Sequence, residues 1–144
     1  MSREVVFLVR DVSEREFVNY VRGAGGYTGY SDANQAVEAV ISVVKSSFKE
    51  DNKKKVENIF PPGILALWER IPAAEQDEIG LVSSVEKMQI PGKGKQAVLS
   101  VFAAFREKLQ EKANDWEQIL NDEYRQLWEE SKSAAPCQNA GEFL

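Results

Sequence analysis

Two apolar stripes with one spacing constrain this chain most. Val37, Val40, Ile41, Val44 and Phe48 fall at i, i+3, i+4, i+7 and i+11. Val98, Val101, Phe102, Phe105 and Leu109 repeat that spacing. A helix with about 3.6 residues per turn gathers such positions on one face, whereas a strand needs alternation at every second residue. The first stripe consists of Val, Ile and Phe, which also suit strands, so the spacing decides the matter. Each stripe predicts a long helix with an apolar face to bury.

Shorter segments flank both stripes. Ser13-Glu14-Arg15-Glu16 has capping-box spacing and predicts a helix with Phe17, Val18 and Val21 inward. Gly23-Ala24-Gly25-Gly26 is expected to end it. Ser31 or Asp32 is the expected N-cap of the first long helix. Lys49 to Lys55 reads as a polar turn. A short helix then carries Val56, Ile59 and Phe60, and Pro61-Pro62 ends it, with Pro62 suited to the first turn of the next. Ile64, Leu65, Leu67 and Trp68 form that helix's apolar face. Ile71-Pro72 is expected to open one more helix through Ala73-Ala74-Glu75.

The second half follows the same plan. Leu81, Val82 and Val85 match Phe17, Val18 and Val21. Trp116, Ile119 and Leu120 match Val56, Ile59 and Phe60, and Tyr124, Leu127 and Trp128 match Ile64, Leu67 and Trp68. Self-similarity at a period of about 60 residues, present twice, predicts a duplicated multi-helix unit. The expected fold is all-α: a seven- or eight-helix bundle built from two similar four-helix units. The units span 13–72 and 73–132 and pack into one domain. Residues 1–12 form an apolar N-terminal segment and 133–144 a flexible tail.

The stretch from Phe17 to Trp68 resembles a bacterial family, domain of unknown function 2267. The resemblance rests on Phe17-Val18-Asn19-Tyr20-Val21, on Ala36-Val37-Glu38-Ala39-Val40-Ile41, and on Ile59-Phe60-Pro61 followed by Ile64-Leu65-Ala66-Leu67-Trp68. It extends over about 13–132, since the family commonly carries the unit twice. The chain departs from the pattern at Ile119-Leu120-Asn121, which lacks the proline, and at Lys53-Lys54-Lys55, which replaces an acidic turn. The resemblance implies a small all-helical fold and no assigned chemistry.

Composition narrows the function. The 144 residues include no histidine and one cysteine. A Ser-His-Asp triad, a Cys-His dyad and imidazole metal ligation are therefore excluded, as are an internal disulfide and a cysteine-rich metal cage. The lone Cys137 falls in the expected tail. The carboxylate groups Glu75/Asp77/Glu78, Asp122/Glu123 and Glu129/Glu130 lack the spacing of a calcium loop. No catalytic, cofactor-binding or metal-binding residues are expected, and the chain reads as not an enzyme. Net charge is −5. Residues 1–72 hold ten Lys/Arg and ten Asp/Glu, and residues 73–144 hold eight and thirteen, so the acidity lies in the second half. That balance disfavours nucleic acid as a partner. Val5–Val9 is too short for a signal-peptide core, and no run approaches a membrane span, so the expected location is the cytoplasm.

Two loops and one basic cluster remain as candidates. Gly23–Tyr30 offers Tyr27 and Tyr30 as aromatic anchors for a partner. Pro91-Gly92-Lys93-Gly94-Lys95 precedes a helix, where an anion would be favoured near Lys93 and Lys95. Lys53, Lys54 and Lys55, with Lys45 and Lys49 nearby, form the basic cluster. The function expected is a non-enzymatic protein-interaction or regulatory module, with an unidentified protein or a second copy as partner. The alternative is an anion- or nucleic-acid-binding protein using the lysines.

Overall fold

Ser13 opens the first helix. Its hydroxyl accepts from the Glu16 backbone N–H at 3.1 Å, and the Glu16 carboxylate accepts from the Ser13 N–H at 3.2 Å. Two backbone donors at the helix entry are thereby satisfied reciprocally. The computed structural model of the chain describes residues 12–75 and 79–134. Helix α1 spans Glu14–Gly25 and ends on Gly26, whose φ of 70° suits a residue without a Cβ. Helices α2 (Tyr30–Ser46), α3 (Glu50–Ile59) and α4 (Pro62–Arg70) follow. After them come α5 (Leu81–Glu86), α6 (Gly94–Leu109), α7 (Ala113–Gln118) and α8 (Asp122–Glu130). Short 3-10 turns occupy Gln110–Lys112 and Ser131–Ala134.

Among the described residues the fold is all-helical, without a strand, and no helix is long and apolar enough to cross a membrane. The apolar run Val5–Val9, Cys137 and most of the expected 133–144 tail lie outside the described residues.

Three local expectations give way. α2 begins at Tyr30 with Gly29 as its N-cap, and no side chain caps it; Ser31 and Asp32 lie inside its first turn. Lys53–Lys55 belong to α3 rather than to a turn. Glu50 and Asp51 occupy the first turn of α3, where carboxylates suit the positive end of the helix dipole. Residues 72–75 form no helix. The Ala74 N–H instead donates to the Ser42 carbonyl at 2.9 Å, which holds this stretch along α2.

Both stripes are buried along their whole length. α6 lies at the centre and touches α1, α2, α5, α7 and α8. The packing of the long helices is reciprocal. α1 lies against α2 and α6, while α5 lies against α6 and α2. α3 meets α7, and α2 meets α6. Where these helices converge, Phe48, Phe60, Trp68, Phe105 and Trp116 form one cluster, with neighbouring ring centroids 5.0 to 5.6 Å apart. Phe17 joins it edge-on to Phe105 at 4.9 Å. Offset and edge-to-face pairs of this kind add about 0.5–1.5 kcal/mol each beyond area burial.

Candidate interaction site

α1 has two faces. Phe17, Val18 and Val21 are buried. Arg15, Asn19 and Arg22 recur at i, i+4 and i+7 and are exposed. Tyr30, the first residue of α2, joins them, and the four line an open cleft of about 600 Å³. Tyr30 is 38% exposed, one of three large apolar side chains left in solvent among the described residues.

The two guanidinium groups of this cleft have no acidic partner among the described residues. The acids beside them on α1 are engaged elsewhere. Glu14 pairs with Arg70 at 2.7 Å, and Glu16 holds the Ser13 N–H. Arg70 shows the contrast. It binds Glu38 at 2.8 Å as well as Glu14, and these two bonds raise the pKa of its guanidinium above the ordinary arginine value.

The other tyrosine of the glycine loop, Tyr27, faces inward. The Tyr27 ring lies so close over Gly25 that a Cβ there would sit 2.4 Å from its Cε2. Its other edge would meet a Cβ on Gly92 at 3.5 Å. Gln96, in the first turn of α6, donates its amide to the Gly25 carbonyl. The structure therefore brings the two sequence-predicted loops together, with Tyr27 as the wedge between them. The phenol hydroxyl is buried, and Ser100 is near enough to influence its charge but completes no hydrogen bond. Burial raises the Tyr27 pKa, Asp32 adds to the rise, and Ser100 opposes it.

The lysine candidates do not converge. Lys53 pairs with Glu50 at 3.3 Å on α3, while Lys54 and Lys55 are exposed there. Lys95 pairs with Glu130 at 2.8 Å. Lys93 is exposed just before α6, and its backbone N–H donates to Gln96 Oε1 at 3.3 Å. Lys45 is structural. Its ammonium donates to the carbonyls of Trp68 at 2.7 Å and Ile71 at 2.5 Å, closing the C-terminal end of α4. Partial burial lowers its pKa from the ordinary lysine value, against the opposing pull of Glu69.

A second groove, of about 390 Å³, runs between α2 and the 88–90 segment. Ala39, Ile71, Met88 and Ile90 line it, and Met88 is 40% exposed. No three acidic or thiol side chains gather among the described residues as a metal site would need.

No family model, no curated protein and no solved structure matches this chain. The site must be read from its own residues. Sequence reasoning reached Tyr30 but passed over Arg15, Asn19 and Arg22. The signal was present: three polar residues at helical spacing, on the face opposite Phe17, Val18 and Val21, just before the glycine loop that delivers the tyrosine.

Proposed function

We propose that this chain is a non-enzymatic protein-interaction or regulatory module of the bacterial cytoplasm, contacting its partner through Arg15, Asn19, Arg22 and Tyr30. One observation carries the reading: an exposed tyrosine shares a cleft with two arginines that have no acid partner among the described residues, on a surface where Arg70 is doubly engaged. Tyrosine and arginine dominate the energetic centres of protein interfaces. The rigid neighbourhood helps, because Tyr27 and Gln96 fix the loop that presents Tyr30, and less ordering entropy is then lost on binding.

The same proposal includes an internal duplication, with α1–α4 and α5–α8 as two similar units in one domain and kinship with the family of duplicated helical units that the sequence resembles. The reciprocal packing of α1 and α5 across the two long helices supports it. So does the burial of matched positions such as Ile64 with Tyr124 and Leu67 with Leu127.

The alternative of an anion- or nucleic-acid-binding protein draws less support, since Lys53 and Lys95 are already paired and the lysines lie on separate helices. The deciding experiment is cross-linked capture from source cells with the wild-type chain and with Tyr30→Ala. A protein captured by the first and lost with the second supports the reading. Equal capture by both, or none by the wild type, overturns it.

A further inference from the structure

We infer that the Arg15–Arg22 face of α1 binds an acidic helical segment of a partner protein, one with two carboxylates seven residues apart. This deepens the interaction reading above and rests on it.

The first argument is charge. The two arginines are exposed and lack acid partners among the described residues, while the neighbouring acids Glu14 and Glu16 are held by Arg70 and Ser13. A planar guanidinium matches a carboxylate with two parallel hydrogen bonds, which makes unclaimed arginines, more than lysines, a carboxylate-reading device.

The second argument is spacing. Arg15 and Arg22 are two turns apart on one helix, about 10.5 Å along its axis at about 1.5 Å per residue. A partner helix laid along α1 best matches that distance between its own positions i and i+7. Asn19 lies midway and offers an amide to a polar residue between the two acids. Tyr30 borders the cleft at the start of α2 and gives an apolar side chain of the partner a ring to cover.

The third argument separates this partner from a nucleic acid. Binding to a phosphate backbone draws its strength from many neutralised phosphates. This cleft has two cations among the described residues, and the whole chain carries a net charge of −5. A short acidic helix needs two contacts and brings far less repulsion.

The test is an amide-shift titration of the full chain by nuclear magnetic resonance. The probe is a synthetic helical peptide with two glutamates seven residues apart and a leucine between them. The expected result is shifts confined to α1 and residues 27–32, with affinity falling about tenfold from low to physiological salt. Moving one glutamate so that the pair is five residues apart should weaken binding by a similar factor. Arg15→Glu with Arg22→Glu should abolish it, and a peptide with lysines in place of the glutamates should restore it. Both positions are exposed, and an unchanged circular dichroism spectrum confirms that the variant folds.

No shift with the seven-spaced peptide overturns the proposal. So does equal binding of the five-spaced peptide, or tighter binding of a single-stranded oligonucleotide on the same arginines. If a cellular partner is lost with Tyr30→Ala but still captured by the double arginine variant, the acidic-helix assignment fails and the interaction reading stands.

Discussion

Helices α1–α4 and α5–α8 place apolar side chains at matching positions but hold their first helices in different ways. Gly63, near the start of α4, lets the backbone of Val12 come so near that an added Cβ would lie 1.9 Å from the Val12 carbonyl oxygen. Sixty residues on, Glu123 occupies the matching place at the start of α8. Its carboxylate accepts from the Leu81 N–H, the first residue of α5, at 2.8 Å. One half joins its first and last helices by close backbone approach, the other by a charged hydrogen bond across a wider gap. A second contrast lies deeper. Val56 of α3 and Trp116 of α7 match by spacing and are both buried, yet the indole reaches Phe48, Phe60 and Trp68 from the first half as well as Phe105. The second half therefore fills space that the first half leaves, and the two are interlocked rather than merely adjacent.

That interlock sets the largest expected effect. Trp116→Ala removes the ring that touches four others, and we expect a loss of about 3–5 kcal/mol, the range for large aromatic side chains cut from a core. Trp116→Phe should cost much less. The Trp116 indole N–H is buried without a hydrogen-bond partner among the described residues, so its removal relieves a desolvation penalty that partly offsets the lost volume. Chemical denaturation of the two variants measures the gap. If Trp116→Ala costs under about 1 kcal/mol, as ordinary substitutions do, the cluster is not what joins the halves.

The junctions of first and last helices come next. Gly63→Ala pushes a methyl group into backbone that cannot rotate away, and such overpacking costs about 1–3 kcal/mol. Glu123→Ala removes a bond to a backbone donor at a helix start, worth about 1 kcal/mol. Melting curves should rank Gly63→Ala below Glu123→Ala in stability. The reverse order would mean that α1 can shift away from α4 at little cost.

These contrasts mark how far the sequence could be read. The stripes at Val37–Val44 and Val98–Leu109 were legible because helical periodicity is set by the backbone and survives any choice of apolar side chain, whereas Phe48 is buried past the end of α2 at Ser46. The Ser13 cap was legible for the same reason, since its bonds are local. The entry to α2 was not. Gly29 takes the N-cap place two or three residues before the polar residues suggested, and the earlier start brings Tyr30 into the helix ahead of the buried Ala33 and Ala36. Lys53–Lys55 carry no apolar side chain to reveal α3, whose buried residues are Val56 and Ile59. Tyr27 and Tyr30 looked equivalent in the chain. The contact of Gly25 with a ring from two residues on, and the proximity of Gly92 from a distant loop, half-bury one and leave the other exposed.

The smallest expected effect tests whether polarity matters at the surface clamps. Arg70 ends α4 and binds Glu38 of α2, while Glu130 ends α8 and binds Lys95 of α6. The clamps link the same pair of elements in each half with the charges exchanged. They are not equal. Arg70 holds two carboxylates and lies in the last turn of its helix, where a cation meets the negative end of the dipole. Glu130 opposes the dipole at the corresponding end of α8. All the partners are about 40–55% exposed, so solvent and salt screen both clamps strongly. Arg70→Ala should therefore cost about 0.5–1 kcal/mol at low salt, and Lys95→Ala a few tenths, about the range for exposed pairs. High salt should erase most of both losses. If Lys95→Ala proves the costlier at low salt, the dipole is not what distinguishes the two helix ends, and the extra carboxylate on Arg70 contributes nothing measurable.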